Sequence, residues 1–294
     1  MNMLINRYAG GLGNQMFQYV FGLNLKQNGK YVIADTAWYD REISCGIMFS
    51  LEQVFPSVLL NRDVEKVEQL EQSLNSRWIG TRILNRLFPD TRKIYIERKE
   101  FQYDEGAFQT KKVGVSGCWQ CYKYVDNVSE KVREDFTFAG SYPLEAQIML
   151  KNIENSNAVF LHVRGGDYNS ELYARKLFGN ICTAEYYNSA ISVMKKKLSN
   201  PVFWVFTNDK KYAKSILANV ENIYFVSDYV SGLYEDWIDL LMMSKCNHAI
   251  IANSSFSWWG AWLIENKDKV IIAPKKWTNK KKNFDICDPH WIKI

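Results

Sequence analysis

The sequence predicts an α/β protein of two domains, each a parallel sheet covered by helices. Three observations carry that prediction. The chain has 294 residues, more than one ordinary core accommodates and suited to two domains of roughly 150 residues each. From residue 158 onward, short apolar runs alternate with helical spacing, the pattern of strands buried on both faces and joined by helical crossovers. The start of the chain shows the same unit in small: an apolar run, a glycine-rich turn, a helix and a second apolar run.

Taken in order, Leu4 to Tyr8 reads as a strand, and Gly10-Gly11-Leu12-Gly13-Asn14-Gln15 as the turn that ends it. Met16, Phe17, Val20, Phe21 and Leu25 are spaced for a helix from Met16 to Gln27, which Asn28-Gly29 ends. Tyr31 to Ala34 is the next strand. The stretch from about 40 to 150 is less regular. Asp63–Leu74 predicts a helix, Arg77–Phe88 a basic amphipathic one, and Glu145–Asn155 a helix leading into the second half. The boundary is placed there, giving domains 1–150 and 151–294. Strands are then expected at Ala158–Val163, Val202–Phe206, Ile223–Val226, Ala249–Ala252 and Val270–Ala273. Helices are expected at Ala184–Leu198, Lys210–Ala218, Glu235–Cys246 and Phe256–Glu265.

Composition narrows the function. With 47% hydrophobic residues the chain is not a disordered one. Lys and Arg number 37 against 32 Asp and Glu, a net +5 spread over the whole length. That is too dilute to point to nucleic acid, and it suits an anionic small molecule or a membrane surface. No run of 18 uncharged apolar residues occurs, and the start lacks the pattern of a secretory signal, so a cytoplasmic protein is expected. The six cysteines, Cys45, Cys118, Cys121, Cys182, Cys246 and Cys287, then read as reduced structural thiols. His162, His248 and His290 have no zinc-finger spacing to them, so no metal site is expected.

In a parallel sheet, ligands bind beyond the carboxyl ends of the strands. There the sequence places Arg164-Gly165-Gly166-Asp167-Tyr168, Thr207-Asn208-Asp209, Ser227-Asp228 and Asn253-Ser254-Ser255-Phe256-Ser257. Ser254, Ser255 and Ser257 stand where a strand turns into a helix. They serve either as donors beside backbone N–H groups that favour an anion, or as plain helix caps. Arg164 can grip a phosphate with two parallel bonds. His162 precedes it by two residues and leaves the same face of the strand. His248, at the opposite end of its strand, reads as structural.

The run Gly10 to Gly13 lacks the third glycine of a dinucleotide fingerprint. It either lets a ligand approach the backbone, with Asn14 and Gln15 turning their amides toward it, or forms only a tight turn. No nucleophilic triad, HExxH, P-loop or Asp-x-Asp signature is present. A metal-independent enzyme of a nucleotide sugar fits these residues.

The same segments resemble the bacterial α-1,2-fucosyltransferases. Gly10-Gly-Leu-Gly-Asn-Gln-Met-Phe-Gln-Tyr19 is similar to their opening motif, and His162-Val-Arg-Gly-Gly-Asp-Tyr168 to their His-x-Arg-Arg-x-Asp box. Gly117-Cys-Trp-Gln-Cys-Tyr-Lys-Tyr124 is similar to a third motif, and the long stretch from Asp239 to Trp262 to the last. The resemblance runs in order from about residue 4 to 294.

It implies two Rossmann-like domains facing a cleft, the GT-B type. It also implies GDP-β-L-fucose as donor, the 2-hydroxyl of a β-galactoside as acceptor, inversion, no metal and no further cofactor. Such enzymes build surface glycans in the cytoplasm. Arg77–Phe88 would then either lie against the inner membrane or pack on the first domain.

By resemblance, Arg164 holds the β-phosphate, while Gly165 replaces the second arginine of the box. Lys210, Lys275 and Arg175 are the candidates to compensate. Asn208 or Asp209 matches a place where related enzymes set a carboxylate on guanine. Ser255, Phe256 and Ser257 match the phosphate-side turn, and Gly11, Gly13 and Asn14 the loop facing the donor sugar and acceptor. Asp167, Glu171 and His162 are candidates for the general base. The alternatives are another linkage or GDP-sugar on the same fold, or a GDP-sugar or glycan-binding protein without turnover.

Overall fold

The computed structural model describes residues 2–41, 44, 46–74, 93–140, 142–218, 220–229, 236–280 and 284–294, without the side chains of 2, 73, 74, 167 and 169. The helix expected over 77–88 lies outside the described residues, as does the first residue of the one expected from 235. The chain divides into two compact units, Met1–Ala139 and Gly140–Ile294.

The first unit holds β1 (Asn2–Arg7), α1 (Leu12–Gln27), β2 (Lys30–Asp35), α2 (Leu51–Val54), α3 (Val64–Leu74), β3 (Ile94–Ile96), β4 (Gly114–Ser116), α4 (Tyr122–Asp126) and α5 (Ser129–Asp135). Its strands pair in parallel in the order β2-β1-β4-β3. Ile5 and Ile33 meet Val67, Leu70 and Ile94 on one face of that sheet. Helix α1 starts at Leu12, four residues earlier than its apolar spacing suggests. That first turn contains Gly13 and Asn14, which are poor helix formers. Hydrogen bonds over long sequence distances hold it instead. The buried Gln15 donates to the carbonyls of Gly10 and Met48 and accepts from the amides of Ser50 and Leu51.

The second unit holds α6 (Leu144–Glu154), β5 (Ala158–Val163), α7 (Asp167–Ser170), α8 (Leu172–Phe178), α9 (Ala184–Lys197), β6 (Val202–Thr207), α10 (Lys210–Ile216), β7 (Ile223–Phe225), α11 (Trp237–Ser244), β8 (His248–Ile250), α12 (Ser255–Leu263), β9 (Ile271–Ala273) and β10 (Ile292–Lys293). Helix α6 belongs here, so the division falls between Ala139 and Gly140 rather than at 150. The order is β10-β9-β8-β5-β6-β7, every pair parallel.

All six residues of β5 are buried, as a central strand covered on both faces requires. Val159, Leu161 and Val163 face a core with Tyr186, Tyr187, Ala190, Ile191 and Met194 of α9. The alternate residues face α12, where Gly260 lets the helix come close. A Cβ there would stand 2.9 Å from Cβ of Met243 and 3.4 Å from the ring of Phe160. His162 shares the parity of Phe160 and so points to the same side.

Candidate functional site

Both sheets reverse direction at a definite point. In the second, the chain runs from β5 outward through β6 and β7, then returns to β8 on the other side of β5. The crevice beyond the ends of β5 and β8 is the topological switch point, where such sheets bind ligands. Two tyrosines of α9 set the spacing there: Tyr187 donates to the carbonyl of His162 (2.9 Å) and Tyr186 to that of Ile251 (2.6 Å).

Arg164 follows β5 at this crevice. Its guanidinium lies 5.3 Å from the ring centre of Tyr168, which stacks on Phe178 at 5.2 Å. The Tyr168 hydroxyl donates to the carbonyl of Asn253 beyond β8, tying the two loops together. The buried Asn253 amide donates to the carbonyls of Phe178 and Trp277. From the β8 side comes the start of α12. Its cap residue, Ser254, makes no side-chain bond to the helix. The first-turn amides have no acceptor within the helix and carry its positive end.

His162 is 5% exposed, its ring 6.3 Å from that of Phe256 on α12, and its Nδ1 has no hydrogen-bond partner. Burial, reinforced by the Arg164 charge, pushes its pKa from 6.5 down to about 3. The imidazole is therefore neutral at working pH. Between those two values the unfolded chain binds a proton that the folded one refuses, so stability falls as pH drops below 6.5. Replacing His162 with Gln is expected to flatten that fall by up to about 1.4 kcal/mol per pH unit. Urea unfolding at pH 4.5 to 7.5 checks it, and parallel curves for the two proteins would contradict a buried neutral histidine.

Other expected site residues are occupied differently. Ser257 is fully buried, and its hydroxyl donates back to the carbonyls of Ala252 and Ser254, which removes it from ligand contact. Asn208 accepts the amide of Gly165 at 2.9 Å. Asp209 caps α10, accepting the Tyr212 amide at 3.0 Å on Oδ1, and takes the Gly166 amide at 3.4 Å on Oδ2. Both expected guanine partners thus make hydrogen bonds within the fold. Lys210 is paired with Asp228, and Arg175 lines an open surface pocket with Leu172, Lys176, Asn180 and Asn279. The side chain of Asp167 lies outside the described residues. His248 is structural: its Nδ1 accepts the Val270 amide and its Nε2 faces Oδ1 of Asn157.

The first sheet has its own switch point, between β1 and β4. The loop Gly10–Gly13 follows β1, with Gly10 at φ +82° and Gly11 capping α1. Any Cβ on Gly10 would stand 2.5 Å from the Asn14 amide. Asn14 accepts at 2.8 Å from Gln120, which lies beyond β4. The opening and third motifs thus meet at one crevice, a partner the sequence reading missed. Gln15, expected to face a ligand, is instead the buried bolt described above. Gln18 completes the junction, bonding Ala9 through both its amide atoms and donating to the carbonyl of Gly117.

Comparison with known proteins fits this picture. Residues 91–294 match the family model for glycosyl transferase family 11. The chain is 33% identical to an alpha-1,2-colitosyltransferase of Escherichia coli, covering 100% of this chain and 99% of that protein. It is 29% identical to the O-antigen biosynthesis glycosyltransferase WbnK of Escherichia coli, covering 97% and 98%. It is 25% identical to a galactoside alpha-(1,2)-fucosyltransferase 1 of Saimiri boliviensis boliviensis, over 61% of this chain and 48% of that one. Among solved structures, the fucosyltransferase NodZ from Bradyrhizobium superposes with a TM-score of 0.50 at 14% identity, over 88% of this chain and 91% of NodZ. That likeness bears on the fold, a pair of Rossmann-like units of the GT-B type. With a family model over more than half its length and a relative matched end to end, the chain belongs to glycosyltransferase family 11.

Proposed function

We propose that the chain transfers L-fucose from GDP-β-L-fucose to the 2-hydroxyl of a β-galactoside, with inversion, in the cytoplasmic synthesis of a surface glycan. One observation supports the reading: Arg164 after β5, with His162 on the same strand, and the N-terminal end of α12 after β8 lie at the second sheet's switch point. An arginine and a helix N-terminus together suit a diphosphate.

In the reaction the acceptor oxygen attacks fucose C1 from the side opposite GDP. The bond from C1 to the phosphate oxygen breaks, and its electron pair leaves with GDP. Negative charge grows on the phosphate, where Arg164 and the first-turn amides of Ser255 and Phe256 meet it. His162 is buried with its Nδ1 closed off from solvent, so Asp167 or Glu171 takes the hydroxyl proton. Gly11, Gly13 and Asn14 serve the donor sugar and acceptor.

Because Arg164 and the helix start supply the positive charge, turnover is expected to survive EDTA. Loss of activity to the chelator, restored by manganese, would contradict this mechanism.

A second donor is favoured by the end-to-end match to a colitosyltransferase. Colitose is L-fucose without its 3-hydroxyl. A site that hydrogen-bonds this hydroxyl rejects the deoxy sugar by roughly 10⁴–10⁵, and one that does not accepts both. GDP release from GDP-fucose, GDP-colitose and GDP-mannose over a panel of β-galactosides tests the reading. Preference for GDP-fucose supports it, preference for GDP-colitose moves the donor, and release only from GDP-mannose overturns it. Contact with the inner leaflet belongs to the same proposal and is checked by sedimentation with anionic vesicles.

A further inference from the structure

We propose that Asn208 and Asp209 are positioning residues that hold the Arg164 loop, not readers of the nucleotide base. The inference rests on the reading of Arg164 as the phosphate ligand. Asn208 and Asp209 lie 43 residues beyond the loop they hold, and their side chains take its two consecutive amides, Gly165 and Gly166. The clamp is itself braced. The other oxygen of Asp209 caps α10, and its amide donates to the Thr207 hydroxyl at 3.0 Å.

The fit leaves no space for a side chain. A Cβ on Gly165 would stand 2.6 Å from Cβ of Asp209, closer than real Cβ atoms approach, and a tight 3.1 Å from the Tyr212 ring. Gly166 has φ +55°, and a Cβ there would stand 2.7 Å from the Asn208 amide nitrogen. Two glycines are required because the loop backbone lies directly on these two side chains.

Reading guanine through its N1–H and N2–H edge takes both oxygens of one carboxylate, whereas here one oxygen of Asp209 is turned to the start of α10 and the other to the Gly166 amide. Topology agrees. Residues 208 and 209 follow β6, whereas the switch point lies on the β8 side of β5. The clamp also accounts for the missing second arginine of the His-x-Arg-Arg-x-Asp box. Position 165 is closed by the side chains of Asp209 and Tyr212, and the loop that carries the remaining arginine is held by Asn208 and Asp209, with the Tyr168 ring beside the guanidinium.

A double-mutant cycle decides the matter. Asp209→Ala is expected to lower kcat for GDP-fucose by roughly ten- to 100-fold, as a slightly misplaced catalytic group does. The ratio of inhibition by GDP to that by inosine diphosphate, which lacks the guanine amino group, should stay at the wild-type value. In an Arg164→Ala background the Asp209 substitution should cost almost nothing further, and Asp209→Asn should recover part of the loss. Should Asp209→Ala not fold, Asn208→Ala carries the same cycle through the Gly165 bond. A full, additive loss in the Arg164→Ala background, or a collapse of the GDP preference, would overturn the clamp alone. Intact turnover in Arg164→Ala by itself would overturn the phosphate reading and the clamp with it.

Discussion

Replacing Arg164 with alanine lowers turnover by roughly 10²–10³-fold, the effect of removing about 2.7–4 kcal/mol of transition-state stabilisation. The size follows from where the charge appears. GDP is a stable leaving group only if the electron pair it carries away is met at once. The guanidinium does so with a rigid two-pronged donor. The partly buried side chain rests on the Tyr168 ring and is not part of the core, so its removal should leave the melting temperature nearly unchanged. Lysine at this position keeps the charge but not the fork or the flat stacking surface, so Arg164→Lys should recover only part of the rate. Steady-state kinetics beside a thermal melt read both quantities. A folded Arg164→Ala enzyme with near-native turnover would remove the basis for the donor site.

The second large effect runs against sequence intuition. Gly165→Arg restores the arginine pair of the box, yet it should harm the enzyme. Its Cβ would be forced against Asp209, and the loop would have to leave its two hydrogen bonds. Overpacking of this kind costs about 1–3 kcal/mol. In a unit of this size that lowers the melting temperature by roughly 2–12 °C. Turnover should fall as well, because the displaced loop carries Arg164. Differential scanning fluorimetry and GDP release check the two parts. A stable Gly165→Arg variant with raised activity would show that the position is open and the packing account mistaken.

The strongly patterned parts of the fold were legible in the residues. Ala158–Val163 is a strand as expected, because a run with no polar alternation and bounded by turn residues has few other homes. Ala184–Lys197 was legible through its helical spacing, expected to Leu198, and the structure adds the Thr183 cap. Ile94–Ile96, Gly114–Ser116 and Ile292–Lys293 escaped, since unlike the equally short Ile223–Phe225 and Ile271–Ala273 they do not sit in an apolar run of four or more residues. The helix Leu172–Phe178 escaped too: none of its residues is buried, so it has no apolar stripe to read.

The candidate site was legible in part for a related reason. Strand ends indicated which loops gather beyond β5 and β8, but periodicity carries no information on which side chains are consumed by contacts far along the chain. Asp209 illustrates the difference. It stands directly before a helix, and the structure makes it the N-cap, a role the guanine reading left out. Gln15 and Ser257 look like ligand-facing polar groups in sequence and are buried hydrogen-bonding struts in the fold. The pairing of Asn14 with Gln120 joins residues far apart in sequence, and only the order of the strands brings them together.

The most direct test of the account is the structure of the product. The chain is incubated in EDTA with GDP-β-L-fucose and a β-galactoside, and the product is examined by NMR. The account predicts one new linkage, an α-configured fucose on O2 of galactose, with GDP released in equal amount. A β-linked fucose, a linkage at another oxygen, or GDP release that occurs only with added metal would contradict it.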